Sequence, residues 1–428
     1  MSPRRISRRE FLAGLGATGV VAAAGGYGIT TWAGHDSRAS PTSRPATGAG
    51  GAVPPRTLVL LELAGGNDAL NMVIPRDPAY RTLRPTLGVT DPIELDGAIG
   101  LSPKLTTLAQ QYRSGRLAIV EGIGVPNPNL SHFASLQRWW TADPDLHTPT
   151  GWIGRYLDRA VGTGDPVAGV AIGPGPSPVL SGAVSFATAI SDARGLQPAR
   201  IDADVRDALL ASWADLVPAH PEPDLLGVLQ RAIGETLDAR GRISRDLGTA
   251  TAPNAASPSG SAAAAGSANA LADALDLAAR LAGSPDHPRV IHVHVDGDYD
   301  THAAEAERHP ALMTELDAAV DRFIKTLDSV HASDRVVLAT MSEFGRRVAE
   351  NGSGTDHGTA AAHFVLGAPV RGGRHGDPPS LTKLDPNGNL VMTIDYRDYD
   401  AALLEWLDPT ADTEAILGKR SPLPHLFT

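Results

Sequence analysis

Acidic and histidine side chains recur in short, glycine-containing segments at four places along the chain. The segments cover residues 64–68, 296–302, 341–346 and 354–358, and His363 follows soon after the last of them. Each segment supplies at least one carboxylate, and the second and fourth also supply a histidine. Asp, Glu and His are ligands that proteins offer to zinc, manganese and magnesium. These residue types predict a site for one or two divalent metal ions, and two such ions can clamp both oxygens of a displacement.

The physical reason for predicting metal is electrostatic. Carboxylates that converge in one cleft repel one another strongly unless cations neutralise them. Ordinary structural roles stay open for each residue taken alone. Asp68 could cap a helix, and Asp300 could be a solvated turn residue. Glu343 could pair with Arg346, and a lone histidine such as His363 is more often a core residue than a ligand.

Ser131 is the candidate nucleophile. It lies in the segment Leu130-Ser131-His132-Phe133, where a helix is predicted to begin after the second strand. The positive potential at a helix N-terminus would lower the cost of forming an alkoxide, and a metal would lower it further. An ordinary N-cap serine is the alternative. His132 could be an acid, a ligand or a packing residue.

Predicted β-strands precede these segments and alternate with helices. Strands are predicted at residues 57–63, 117–121, 289–295, 335–340, 361–366 and 390–394. Helices are predicted from an N-cap at Ser102 to about Arg113, at 310–330 and 396–407, and within 201–247 and 268–282. The pattern predicts an α/β fold with a mostly parallel sheet covered by helices on both faces. In such sheets, functional groups gather at the carboxyl ends of the strands.

The first 33 residues have the layout of a twin-arginine signal peptide. Arg8 and Arg9 are followed by Glu10-Phe11-Leu12 and then by an uncharged, glycine-rich run. A retained membrane anchor is the alternative, but its glycines make a poor transmembrane helix. We therefore expect export, with membrane contact only through the leader. Residues 34–55 and the insert at 248–267 have the composition of disordered segments, so residues 56–428 are predicted to form one domain.

Charge and cysteine content exclude several classes of function. The net charge is −11, and the first 33 residues carry +3, so the rest of the chain carries −14. An acidic body repels phosphate backbones, which argues against a nucleic-acid partner. The chain has no cysteine, and this excludes disulfides, thiolate catalysis and Cys-ligated zinc.

Seven sequence blocks give the chain a resemblance to the bacterial "domain of unknown function 1501" family, whose members often carry twin-arginine leaders. The blocks occur in family order and span about residues 56–410. They are GGNDALN at 65–71, SHF at 131–133, GWIGRYLD at 151–158, YDTH at 299–302, SEFGR at 342–346, GTDHG at 354–358 and DYR at 395–397.

The resemblance implies an alkaline phosphatase-like fold, in a superfamily shared with sulfatases and cofactor-independent phosphoglycerate mutases. It also implies a Ser or Thr nucleophile and two metal ions at the carboxyl edge of the sheet. Carried over by position, Ser131 is the nucleophile. The implied metal ligands are Asp68, Asp300, His302, Glu343, Asp356 and His357.

The chain departs from the family and superfamily patterns at several positions. Asp298 stands where glycine is expected, and Leu130 stands where Arg is common, which weakens any grip on an oxyanion there. Ser342-Glu343 replaces the Asp-His pair of better-known superfamily members, which puts a second metal in doubt. No Cys/Ser-x-Pro-x-Arg pattern follows the first strand, and this argues against a formylglycine sulfatase.

The sequence therefore predicts an exported metal-dependent hydrolase of phosphate, sulfate or related esters on a small molecule or polysaccharide. Ser131 would attack, His132 would assist, and Arg346 or Arg155 would bind the oxyanion. Two alternatives stay open. One is a non-catalytic envelope protein that binds a ligand such as a polysaccharide, and the other is a purely structural protein with an empty cleft.

Overall fold

The structure is a computed structural model. It describes residues 55–162, 164–185, 187–191, 203–221, 224–247, 270–295 and 297–428. The predicted leader, the linker apart from Pro55, and the insert lie outside these residues. Within the described ranges, no helix has the length and apolar character needed to cross a bilayer.

A nine-stranded sheet organises residues 56–195 and 241–428, which form one compact unit. Its strands are Thr57–Glu62 (β1), Leu117–Gly124 (β5), Gly169–Ile172 (β6), Thr188–Ile190 (β7), Val290–Val293 (β8), Val336–Met341 (β9), Ala361–Leu366 (β12), Gly373–His375 (β13) and Ile394–Asp395 (β14). Along the sheet they run in the order β13-β5-β12-β9-β1-β8-β6-β7, and β14 also pairs with β5.

All neighbouring strands of this sheet pair in parallel except at β12, which is antiparallel to both β5 and β9. The carboxyl ends of β1, β5, β8 and β9 therefore share one edge, and β12 begins at that edge. Between β9 and β12 the chain forms an antiparallel pair of short strands, Arg346–Glu350 (β10) and Thr355–His357 (β11). The segments predicted to do chemistry are thus delivered to one edge of the sheet.

A second, three-stranded sheet consists of Val73–Pro75 (β2), Ile93–Glu94 (β3) and Ile99–Leu101 (β4), with β4 in the middle. Short helices Ala69–Met72 (α1) and Pro78–Leu83 (α2) flank β2 in the chain. The remaining helices of this unit are Thr106–Arg113 (α3), His132–Thr141 (α4), Trp152–Ala160 (α5), Ala270–Gly283 (α8), Glu305–Ser329 (α9), Tyr396–Leu407 (α10) and Thr413–Leu417 (α11), with a 3-10 turn at Pro178–Leu180.

Helices flank the large sheet, and every residue of β1 is buried. Alternate residues such as Leu58 and Leu60 share one hydrophobic cluster with side chains of α4, α5, α10 and α11. Helices α3 and α8 contact strands β5 and β8, and α9 packs on both of these helices. Burial on both faces explains why the strands read as continuous apolar runs. The predicted α/β class with a mostly parallel sheet is confirmed.

Several predicted element boundaries were wrong. Helix α9 begins at Glu305 and not at residue 310, and β5 extends to Gly124. Helix α3 begins at Thr106, not after an N-cap at Ser102, and the Ser102 backbone N–H donates to the Met72 carbonyl beside strand β4. Asp317 of α9 takes over the capping role and accepts hydrogen bonds from the backbone N–H groups of Thr107 and Leu108. The strand predicted at 390–394 shortens to Ile394–Asp395.

The described residues from 203 to 240 belong to a second compact unit. Its described residues contain helix Ala203–Ala214 (α6) and most of helix Leu225–Asp246 (α7). Leu209, Trp213 and Ile233 are buried together between these helices. The prediction of helices before the insert is confirmed.

Candidate metal centre

Three residues that are far apart in the chain meet at the carboxyl edge of the large sheet. They are His132 at the start of α4, Asp300 after β8, and His357 at the end of β11. One ligand atom of each lies within 4.8 Å of the other two. The Asp300 carboxylate lies 3.3 Å from His357 Nε2 and 3.6 Å from His132 Nε2. We call these three residues the histidine–aspartate cluster. It is the one group of this kind found in the described part of the chain.

His302 extends the cluster on one side. Its Nε2 lies 3.2 Å from Asp300 Oδ1 and 2.8 Å from His357 Nε2. Three imidazole rings therefore turn Nε2 toward the Asp300 carboxylate. All four side chains are partly exposed, so the site is open to solutes.

In each of the three imidazole rings, the outer nitrogen, Nδ1, lies beside a hydrogen-bond acceptor. His132 Nδ1 lies 3.2 Å from Glu343 Oε1, and His302 Nδ1 lies 3.4 Å from Asp356 Oδ1. His357 Nδ1 donates to the backbone carbonyl of Leu130 at 2.9 Å. An acceptor on the outer nitrogen fixes the ring and its tautomer and leaves the inner nitrogen free to bind a metal. The arrangement has the form of a metal site with its outer support in place.

The inner nitrogens of His302 and His357 lie close together. When Nδ1 of each ring donates outward, both Nε2 atoms carry lone pairs, and two lone pairs 2.8 Å apart repel each other. A cation bound between the rings would remove this repulsion, and so would a tautomer that carries its hydrogen on Nε2 of one ring.

The pKa shifts follow from the same contacts. The Glu343 hydrogen bond raises the pKa of His132 against the opposing effect of burial. Burial lowers the pKa of His357, which favours the neutral ring that metal ligation requires. Burial raises the pKa of Asp300, but the ion pair with Arg346 outweighs burial and holds that pKa below its usual value.

Glu343 is fixed by a glycine turn. It is buried and accepts hydrogen bonds from the backbone N–H groups of Gly65 and Gly66, each at 2.7 Å. Both glycines have positive φ, and a β-carbon on Gly65 would lie 2.4 Å from the backbone nitrogen of Asp300. Positions 65 and 66 of this turn therefore require glycine. Glu343, predicted as a ligand, is placed to orient His132 from behind.

Arg346 is fully engaged by the protein. Its buried guanidinium donates to the carbonyls of Gly65, Gly66, Thr355 and Tyr299 and pairs with Asp300. These bonds fix the site loops and the carboxylate. They do not favour the oxyanion-binding role predicted for Arg346. Arg155 likewise donates to backbone carbonyls, those of Thr141, Thr150 and Ile416.

Asp68 lies outside the cluster. Its side chain is fully buried and pairs with Arg84, whose Nη2 lies 3.0 Å from Oδ1. It also caps α1 by accepting from the Leu70 N–H at 3.1 Å. Burial raises the pKa of Asp68, but the Arg84 charge outweighs it and holds the pKa well below the usual range. This pairing does not favour the ligand role predicted for Asp68.

Ser131 precedes a cluster residue and is the N-cap of α4, but its side chain makes no capping hydrogen bond. Its backbone N–H donates to the Asn129 side chain instead. The side chain is partly buried. The hydroxyl is therefore free of the usual structural duty of an N-cap serine.

A buried polar layer that sequence reasoning missed supports these loops. Glu305 of α9 accepts from Thr355 Oγ1 at 2.7 Å and from Asn71 Nδ2 at 3.1 Å. His309, one turn further along α9, hydrogen-bonds Asn67. Burial and the Asp68 charge raise the pKa of Glu305. The signal that could have found these residues is the period of four on α9, which places both on one face of the helix.

His363 is a core residue, as the structural alternative predicted. Its ring is 2% exposed and packs against Trp139 and Tyr399. Neither ring nitrogen has a hydrogen-bond partner among the described residues. It takes no part in the cluster.

Comparison with known proteins supports the family resemblance. The family model described as "Protein of unknown function (DUF1501)" matches residues 196–387. This match confirms the resemblance read from the sequence blocks, and the blocks YDTH, SEFGR and GTDHG lie inside it. No curated protein matches the chain.

Several solved structures resemble the chain at low identity. One is a protein in the alkaline phosphatase superfamily from Vibrio parahaemolyticus, with 10% identity, coverage of 97% of this chain and 78% of that chain, and a TM-score of 0.40. Another is a putative sulfatase from Bacteroides thetaiotaomicron, with 10% identity, coverage of 85% and 75%, and a TM-score of 0.37. A third is Ps i-CgsB in complex with k-i-k-neocarrahexaose, with 11% identity, coverage of 86% and 75%, and a TM-score of 0.43. Likeness this distant leaves activity to be argued from this chain's own residues.

Proposed function

We propose that the protein is an exported, metal-dependent hydrolase of phosphate, sulfate or related esters, with Ser131 as the nucleophile. The observation that carries the proposal is the set of three Nε2 atoms turned toward Asp300, with each ring held from behind. Such preorganisation is what a metal site needs and what a solvated turn lacks.

The types of ligand atom in the site favour some metals over others. His132, Asp300 and His357 would hold the ion, with His302 beside them. Imidazole-rich sites suit zinc, and manganese accepts mixed nitrogen and oxygen ligands, whereas magnesium prefers oxygen ligands and water. We therefore favour zinc or manganese over magnesium. When bound, the ion would supply Lewis-acid polarisation of the ester and would make a neighbouring hydroxyl more acidic.

The protein groups around the ion have separate duties. Glu343 orients His132, and Arg346 fixes the Asp300 carboxylate. Ser131 stands at the N-terminus of the ten-residue helix α4, where the helix dipole favours negative charge on its oxygen. Its hydroxyl would attack the phosphorus or sulfur, and the alcohol would leave. Water would then release the phosphate or sulfate from Ser131.

The test combines elemental analysis with turnover. Purified full-length protein is analysed for metal, and aryl phosphate and aryl sulfate esters are screened with zinc or manganese added. We expect stoichiometric metal in the wild type and in Ser131→Ala, with turnover lost in Ser131→Ala. Because the Ser131 hydroxyl caps nothing, its removal should leave the melting temperature unchanged. Ser212→Ala, at an exposed helix position, is the matched control. Full activity in Ser131→Ala, or absence of turnover with either metal, would count against the proposal.

Export is the second part of the proposal and rests on the leader. Replacing Arg8 and Arg9 together with Lys should retain the protein in the cytoplasm, since paired arginines define this route. Cell fractionation followed by immunodetection reads out the result. Unchanged export of the double variant would contradict the assignment of the route.

A non-catalytic polysaccharide-binding role is a second candidate, and one observation favours it. Phe133, two residues after Ser131 on α4, is 86% exposed. Aromatic side chains combine an apolar face with low conformational cost, which suits an exposed contact surface. In that role, Phe133→Ala would abolish binding to polysaccharide, and Ser131→Ala would not change it.

A further inference from the structure

A cavity of about 440 Å³ lies apart from the histidine–aspartate cluster. Its walls come from β2 and β4 of the small sheet, from the facing residues of β5 and β12, and from the segment 378–390. No member of the cluster lines it. Of the residues placed around the cluster, only Arg346 also lines the cavity. Its volume lies within the range of about 300–1,000 Å³ typical of small-molecule sites.

The cavity walls are mostly apolar. Larger side chains contribute at several points, namely Leu70, Val73, Ile99, Leu381 and Leu390. Small residues at 69, 97, 98 and 360–362 leave the space open. Ala362 shows this most clearly. Side chains of an inner strand are normally buried on both faces of the sheet. Ala362 lies in β12, between β5 and β9, yet it is only partly buried because it faces the open space of the cavity.

The polar part of the wall includes one ion pair with unused hydrogen-bonding groups, beside Arg76, Asp77, Arg346 and Ser380. Arg374 Nε donates to Glu121 Oε2 at 2.7 Å, and the Glu121 side chain is mostly buried. No hydrogen bond found among the described residues uses the Nη groups of Arg374 or Oε1 of Glu121. Unused donors therefore stand beside an unused acceptor at the edge of an apolar space.

The charge balance disfavours an ionic ligand. Each of the three lining arginines has an anionic partner: Arg374 pairs with Glu121, Arg76 with Glu94 at 2.9 Å, and Arg346 with Asp300. Burial lowers the pKa of Arg374, but the hydrogen bond and charge of Glu121, with a further contribution from Asp96, outweigh burial and raise it. A carboxylate in the cavity would meet arginines that already have partners. The lining carboxylate outside these pairs, Asp77, is exposed and caps α2, so it would offer an ammonium group only a weak, solvated partner.

We propose that this cavity binds an uncharged amphiphile with an apolar acyl or aromatic body and a single carboxamide. The carboxamide oxygen would accept from the Arg374 guanidinium, and its N–H would donate to Glu121 Oε1. An amide offers one donor and one acceptor side by side, which matches what the ion pair leaves unused. The apolar body would cover Leu70, Ile99 and Ala362.

The experiment compares three probes of equal chain length on the full-length protein. Calorimetry or ligand-observed NMR measures the binding of octanamide, octanoate and octylamine. We expect octanamide to bind with a dissociation constant at least about tenfold lower than the other two, the difference that one hydrogen bond to a charged group supplies. Equal or tighter binding of octanoate or octylamine, or failure of octanamide to bind at millimolar concentration, would overturn the proposal.

Two variants locate the site. Ala362→Leu fills the cavity and should abolish octanamide binding without lowering the melting temperature, whereas Ala183→Leu, at an exposed alanine outside the cavity, should change neither. Replacing Glu121 and Arg374 together with Met removes the pair without leaving a buried charge, a change that is often tolerated. It should erase the preference for octanamide over octanoate. Unchanged binding in both cavity variants would place the ligand elsewhere. Because the readout is binding, the result does not depend on ester hydrolysis.

Discussion

Glu343 shows how a residue can control a metal site without touching the metal. Its carboxylate spans two backbone N–H groups of the glycine turn and His132 Nδ1. Glu343→Gln keeps the size but removes the charge and one acceptor. We expect metal affinity to fall by about 10–100-fold, the usual effect of losing such an outer partner. Competition with a chelator measures it.

Glu350 offers a matched control for that variant. Its carboxylate also accepts from two adjacent backbone N–H groups, those of Thr86 and Leu87, and within the described part of the chain no hydrogen bond or ion pair joins it to the cluster. Glu350→Gln should therefore lower stability to a similar or smaller extent and leave metal affinity unchanged. Equal metal affinities for the two variants would remove Glu343 from the site.

A buried ion pair stabilises the short helix α1 near the site. Asp68 caps this four-residue helix and pairs with Arg84 in full burial. Asp68→Ala leaves the arginine unpaired, so we expect the free energy of unfolding to fall by about 3–5 kcal/mol. Asp77 caps the neighbouring helix α2 in solvent. Asp77→Ala should cost only about 1 kcal/mol. Urea denaturation of both variants gives the comparison, and equal losses would refute a special role for the buried pair.

Helix α3 shows where local sequence stops being informative. Ser102-Pro103 has the residue types of a helix start, but the helix begins at Thr106 with Asp317 over its first turn. That carboxylate comes from α9, 209–211 residues away in sequence, so no local pattern could reveal it. Asp317→Ala should therefore destabilise the protein by about 1–2 kcal/mol, as loss of a cap does. Ser102→Ala should have a smaller effect, and chemical denaturation separates the two.

At the scale of the molecule, the sequence predicted which loops meet but not every role within them. Apolar runs in the sequence located β1, β5, β8, β9 and β12. Functional groups gather at the carboxyl ends of parallel strands, and this predicted that the loops with residues 132, 300 and 357 lie at one edge of the sheet. The reversal of β12 depends on long-range pairing with β5 and β9, which apolar runs do not encode. The distinction between a ligand and its support also depends on side-chain direction. From the sequence, Asp68 and Glu343 were both predicted to be metal ligands. In the structure, Asp68 pairs with an arginine, and Glu343 accepts hydrogen bonds from backbone N–H groups.

At the scale of the whole molecule, two buried histidines each lower stability in acid. Burial lowers the pKa of His363 to about 3 and that of His309 to about 4. Both pKa values lie below the value of about 6.5 in an unfolded chain, so the unfolded state binds protons that the folded state does not. The stability contribution is complete above pH 6.5 and is lost as pH falls toward 4. Between pH 7 and pH 5 we expect each histidine to reduce the free energy of unfolding by about 2 kcal/mol.

His363→Leu isolates one of these contributions. Leucine fills a similar space and has no nitrogen left without a partner, so the variant should be at least as stable as the wild type at pH 7. Its loss of stability between pH 7 and pH 5 should be smaller by about 2 kcal/mol, because one titrating group is gone. His147→Leu serves as the control, since that ring is exposed to water in the folded state as well. Urea denaturation at both pH values decides the matter. Equal pH dependence in the wild type and His363→Leu would mean that the buried ring already carries its proton or shares it with a bound water.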